Sequence, residues 1–147
     1  MEVFIAFTKD DDFFLLKQTL EAWDQPGFEP VATWVKPSKY QIGRRVMADK
    51  LSKDPHYLIS DLGCGPGEKM DTGNLFRVIL PKDGLIAFPN ESNPQENRVA
   101  LCVKGSVEKW PQWKEGDYTK EHAEAVRLSG KVARVCPNIT YRPILAS

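Results

Sequence analysis

The residues with most chemical potential follow the apolar run His56-Tyr57-Leu58-Ile59: Ser60, Asp61 and then Leu62-Gly63-Cys64-Gly65-Pro66-Gly67. A carboxylate at the end of a strand can accept hydrogen bonds from hydroxyls or hold a cation. Glycines beside it let the backbone come close to a bound group, because no Cβ intervenes. In open parallel sheets ligands collect at the carboxyl ends of the strands, which makes Asp61 the first candidate and Gly63 its close neighbour. Thr8, Lys9 and Lys36 also follow apolar runs, so they belong to the same edge if those runs are strands. Arg44 and Arg45 are adjacent cations that read as the solvated face of an amphipathic helix. Three cysteines, Cys64, Cys102 and Cys136, stand far apart with no C-x-x-C pair, which points to buried thiols rather than a metal or redox site. His56, ahead of an apolar run, reads as structural.

The elements that must position these groups follow from periodicity. Val3 to Phe7 is a short apolar run and reads as a buried first strand. Phe13, Leu16, Leu20 and Trp23 recur at helical spacing, with Asp10 to Asp12 at the positive end of the helix dipole and Pro26-Gly27 as the stop. Val31 to Val35 alternates as a second strand. Ser38 is the expected N-cap of a second helix, with Ile42, Val46, Met47 and Leu51 inside and Arg44, Arg45, Asp49 and Lys50 outside. His56 to Ile59 is then a third strand. This alternation builds a parallel sheet with right-handed crossovers. Beyond residue 67, Leu75 to Leu80 is open between helix and strand. Gly84 to Phe88, Val99 to Val103, Val132 to Cys136 and Ile139 to Tyr141 read as strands. Pro89 to Asn97 reads as a loop, either a lid or a solvated connection, and Thr119 to Ser129 as a third helix.

Composition sets the outer bounds. A chain of 147 residues with 41% hydrophobic and 27% charged residues is expected to form one domain, 1–147, with its own core. Twenty basic residues balance twenty acidic ones, giving a net charge of zero. A protein living on nucleic-acid phosphates needs a basic excess, so nucleic acid is not an expected partner. No stretch approaches the roughly 20 apolar residues of a membrane span, and a cytoplasmic location is expected.

Two family resemblances follow from these residues. Asp61 to Gly67 alone resembles the glycine-rich motif of S-adenosylmethionine-dependent methyltransferases, although two strand-helix units precede it and a polar stretch, Glu68 to Asn74, follows it. Taken nearly end to end, the chain resembles the nucleotide-binding half of glycosyltransferases with the A-type fold, especially the inverting family 2 enzymes. That likeness rests on the strand-helix order, on Tyr57-Leu58-Ile59-Ser60-Asp61, on the aromatic-acidic stretch Trp110 to Tyr118, and on Glu121-His122-Ala123-Glu124 with its following glycine turn.

The second resemblance implies a three-layer α/β/α fold with a mostly parallel, Rossmann-like central sheet of the nucleotide-diphospho-sugar transferase type. It implies a nucleotide-sugar bound around Thr8, Lys36, Arg44, Asp61 and Gly63, and an acceptor whose hydroxyl is deprotonated by Glu121, with Asp117 as its rival. It also implies a divalent cation, magnesium or manganese, on Asp61. Gly63 stands where the family carries its second acid, which leaves a cation-independent site using basic side chains, or a domain that has lost catalysis. An acceptor-binding part supplied by a protein partner, and a non-catalytic binding or interaction module, are the remaining expectations.

Overall fold

The computed structural model describes residues 1–37, 40–80, 85–94, 96–106 and 134–144, with backbone alone at 40–43 and 134–135. The helix expected over 119–129, the aromatic stretch from Trp110, and with them Asp117, Glu121 and His122 lie outside the described residues.

The first half follows the expected order: β1 (Glu2–Phe7), α1 (Phe13–Trp23), β2 (Glu29–Trp34), α2 (Tyr40–Leu51) and β3 (His56–Ser60). Next come β4 (Cys64–Pro66), the short α3 (Thr72–Leu75), β5 (Leu85–Phe88), β6 (Val99–Val103), β7 (Arg134–Val135) and β8 (Tyr141–Pro143). The main sheet has the order β2-β1-β3-β6-β5-β7, and β4 pairs with β8 in a second, two-stranded sheet. β1 is parallel to both β2 and β3, and β5 is parallel to β7. β6 runs antiparallel to its neighbours β3 and β5, so the sheet is mostly parallel with one reversed strand in its interior. Pro30 lies on β2 at the sheet edge, where its missing N–H costs no ladder bond.

Alternation along β1 and β3 divides the core. Val3, Ile5 and Leu58 face one cluster, together with Leu16 and Trp23 of α1; Phe4, Tyr57 and Ile59 face another, together with Ala48 of α2. The two long helices therefore cover opposite faces. The Asp12 carboxylate caps α1 by accepting from the amides of Phe14 and Leu15. Phe13, expected on the inner face of α1, is instead exposed at the first turn, with its ring edge-on to Phe7.

The packing of α2 inverts the expectation. Arg44 and Arg45 are each 3% exposed, whereas Val46, Met47 and Leu51 are 47%, 36% and 48% exposed. The inward stripe is Arg44, Ala48 and Ser52, at steps of four. Ala48, with no bulk beyond Cβ, lets the helix lie close on Phe4 and Tyr57, and the arginine stems add apolar surface while their heads reach polar partners. Glu2, also buried, accepts from the Lys53 amide at 2.8 Å and from the Ser52 hydroxyl at 3.2 Å, closing the turn after α2.

Candidate functional site

The carboxyl edge of the first three strands holds most of the residues singled out above. Phe7 pairs with Trp34 and Ile5 with Ser60, so the register sets Thr8 opposite Val35 and Asp61 opposite Ala6. Thr8 is buried; its amide donates to the Asp11 carboxylate at 2.6 Å and its hydroxyl oxygen accepts from the Asp10 amide at 3.2 Å. It therefore shapes the turn into α1. Lys36, just past β2, is exposed.

Asp61 is the centre of the site. Its carboxylate forms an ion pair with the Arg44 guanidinium of α2; the arginine side chain is 4% exposed and the aspartate 23%. Arg44 thus reaches across from the helix to the strand end, contrary to its expected place on a solvated face. Two hydrogen bonds hold the backbone of the aspartate. Its amide donates to the Arg98 carbonyl at 3.0 Å. The Ser60 hydroxyl donates to the Asp61 carbonyl at 2.9 Å and itself accepts from the Trp23 indole at 3.2 Å. Arg45, next to Arg44, is deeply buried. Burial first, and then the Arg44 charge, lower its pKa from the ordinary value.

Gly63 has φ +81°, in the left-handed region that glycine occupies without strain. Its amide donates to the Thr19 hydroxyl of α1 at 3.0 Å, and its carbonyl accepts from the Ile144 amide at 2.7 Å. The following glycine-rich residues do not wrap a ligand as a loop leading into a helix. They form β4, with Cys64 opposite Pro143 and Pro66 opposite Tyr141. At Gly67 an added Cβ would lie 2.2 Å from the Thr140 carbonyl oxygen; glycine there allows close packing of chain on chain. The geometry that the methyltransferase motif requires is absent from this segment.

The donor set around Asp61 does not match an Asp-x-Asp cation site. One carboxylate oxygen is engaged by a guanidinium and Gly63 offers no side chain. Among the described residues no three His, Cys, Asp or Glu side chains gather as metal ligands. All three cysteines are free thiols, Cys64 and Cys102 buried and Cys136 partly exposed. Burial pushes the thiol pKa of both buried residues up to about 12.

The loop from Pro89 to Arg98 stands at the same edge. Asn90 is buried, its amide donates to the Glu96 carbonyl at 2.9 Å, and its side-chain oxygen accepts from the Ser92 amide at 2.8 Å. The segment is thus tied by its own hydrogen bonds. Thr19, Ser60, Trp23 and the Arg98 carbonyl, which hold Asp61 and Gly63, were not predicted. No local pattern marks a threonine inside a helix or a backbone carbonyl as a support for a distant residue.

No protein-family model and no curated protein matches the chain. Solved structures do. A glycosyltransferase involved in the glycosylation of the major capsid of PBCV-1 matches with a TM-score of 0.61 and 12% identity, over 99% of this chain and 94% of that one. HddC from Yersinia pseudotuberculosis matches with a TM-score of 0.54 and 10% identity, over 97% of this chain and 72% of that one. Among the described residues no helix is long and apolar enough to cross a membrane. At these identities the likeness is one of architecture, and the chain has a glycosyltransferase-like fold.

Proposed function

We propose that this chain is a nucleotide-sugar-binding, glycosyltransferase-like protein whose donor site lies at the carboxyl edge of β1, β2 and β3. The observation that carries the reading is the Arg44–Asp61 pair at the end of β3, in a fold shared with a glycosyltransferase over nearly the whole of both chains. In this reading the three layers are α1, the sheet and α2, and the acceptor side belongs to residues 110–129. That region supplies Glu121, with Asp117 as its rival, as the base for an acceptor hydroxyl.

The chemistry follows from charge. A nucleoside diphosphate approaching a lone carboxylate is repelled unless something offsets the negative charge. Arg44, fixed against Asp61, offsets it without an intervening ion. The open part of the carboxylate is then suited to accept from a ribose hydroxyl, and Lys36, exposed past the end of β2 with β1 between it and β3, is a cation available to a phosphate. A cation-independent site follows for this reading, and a domain without catalysis remains compatible with it. The donor sugar and the acceptor are the partners implied.

Thermal unfolding with uridine or guanosine diphosphate, with and without manganese, tests the reading, because a ligand that binds only the native state raises the midpoint by mass action. The expected result is a rise with a diphosphate that does not depend on manganese and is lost in Asp61→Ala. A rise with S-adenosylhomocysteine alone would transfer the assignment to methyl transfer. No rise with any of these would leave a binding module without a nucleotide site.

A further inference from the structure

Near α3 a cleft of about 480 Å³ opens, within the usual size range of small-molecule sites. Ile79, Ile86 and Ile139 give it an apolar wall, Lys69 and Arg77 bring two positive charges, and Cys136 presents its thiol. Among the described residues no carboxylate lines it. On the same segment Glu68, next to Lys69, is exposed and is not among the lining residues, and Asp71 has both oxygens engaged by Asn74, one by the backbone amide at 2.8 Å and the other by the side-chain amide at 3.1 Å. Ile79 is 82% exposed, so a large apolar side chain stands in water at the cleft. Cys136 and Ile139 leave the carboxyl end of β7, which puts the cleft on the same sheet margin as Asp61 but across β6 and β5 from it.

We infer that this cleft is a binding site for a small organic anion, a carboxylate or phosphate monoester carried on an apolar body. Ile86 and Ile139 are buried and form the floor, so the gain from covering, roughly 25 cal/mol for each Å² removed from water, comes chiefly from the exposed Ile79. Two cations, with no acid among the described lining residues, favour a negative group at one end. Neither property alone defines the ligand: an apolar neutral molecule leaves the cations unused, and a bare inorganic anion leaves the wall wet. The inference does not depend on the nucleotide reading, since it concerns different residues and a different ligand.

Cys136 supplies the readout. Cys64 and Cys102 are buried, with thiol pKa values pushed up to about 12, so N-ethylmaleimide reacts first at Cys136 in the folded chain. Phenyl phosphate and phenylacetate are expected to slow that alkylation, by about half when the probe equals its Kd. Whichever protects at lower concentration identifies the preferred anionic group. Benzyl alcohol and inorganic phosphate are expected to protect much less. Lys69→Gln and Arg77→Gln change exposed side chains, so circular dichroism should show the fold retained, and each should weaken protection roughly two- to fivefold. Equal protection by benzyl alcohol or by inorganic phosphate, absence of protection by both aromatic anions, or undiminished protection in both variants would overturn the inference.

Discussion

The Arg44 guanidinium, enclosed between α2 and the sheet, is ion-paired with the Asp61 carboxylate, whose other side remains partly open to solvent. One residue belongs to a helix and the other to a strand end, so the pair fixes the helix against the edge where ligands gather. Variants at these positions therefore test the fold and the proposed donor site together.

Removing the carboxylate should cost stability even without ligand. Breaking a buried ion pair from one side commonly costs about 3–5 kcal/mol, and the partial exposure of Asp61 puts Asp61→Ala near the low end, about 3 kcal/mol. Asp61→Asn keeps the shape and should cost less. Urea unfolding of both variants measures the difference, and an Asp61→Ala protein as stable as the parent would show that the pair contributes nothing to the fold.

An acid introduced at position 63 tests whether this edge can hold a cation. An added Cβ at Gly63 meets only the Leu15 side chain, at 3.9 Å, so Gly63→Asp is limited by its positive φ rather than by space. That conformation costs a non-glycine residue about 1 kcal/mol, and aspartate tolerates it better than most. Manganese is expected to raise the thermal midpoint of Gly63→Asp and to leave the parent unchanged. An equal rise in both would mean that Asp61 holds the ion without a second acid.

The inverted face of α2 makes an unusual pair of expectations. Leu51→Lys alters a side chain that is 48% exposed and should change stability by no more than about 0.5 kcal/mol. Ala48→Leu forces bulk between the helix and Phe4 or Tyr57, and should cost roughly 1–3 kcal/mol. The amphipathic pattern read from sequence predicts the reverse order, so denaturant midpoints of the two variants decide between the two registers.

Alkaline pH should destabilise the fold through its buried thiols. Their ordinary value is 9.0, and in the folded chain burial pushes both Cys64 and Cys102 up to about 12. The folded state therefore keeps protons that the unfolded chain releases. Their stabilisation is complete below about pH 9 and declines as pH rises toward about 12. Tyr57 and Tyr141 have phenol pKa values raised by burial and act in the same sense. Arg45 acts in the opposite sense, since a base with a lowered folded pKa favours the native state as pH rises. The thiol contribution is isolated by comparison: the loss of stability between about pH 8 and about pH 10 should be smaller in Cys102→Ala than in the parent.

The parts of the fold legible in the sequence are those whose signal is local. The apolar run at Val3 to Phe7, the three-to-four spacing from Phe13 to Trp23 and the stop at Pro26-Gly27 each state their element directly, and the parallel order of β1, β2 and β3 follows from their alternation with helices. Asp61 was likewise visible as a carboxylate at a strand end. The register of α2 was hidden because arginine ordinarily marks the outside, and the acid that draws Arg44 inward lies seventeen residues further on. The strand inside the glycine-rich segment is hidden for a similar reason: Cys64 to Pro66 becomes a strand only by pairing with Tyr141 to Pro143, some seventy-five residues away. Pairing at that range leaves no local pattern.

The reversal of β6 has one last effect. Because it runs against β3 and β5, the connection that leaves β5 at Phe88 and enters β6 at Val99 departs from and returns to a single rim of the sheet, with Val99 fastened to Phe88 on one side and Ser60 on the other. Both stems are anchored in the ladder, and the carbonyl of Arg98, next to the second stem, accepts from the Asp61 amide. Because Pro89, Asn90 and Glu91 are also tied to Tyr141, exchange of this span is expected to loosen β8 together with the rim it bridges.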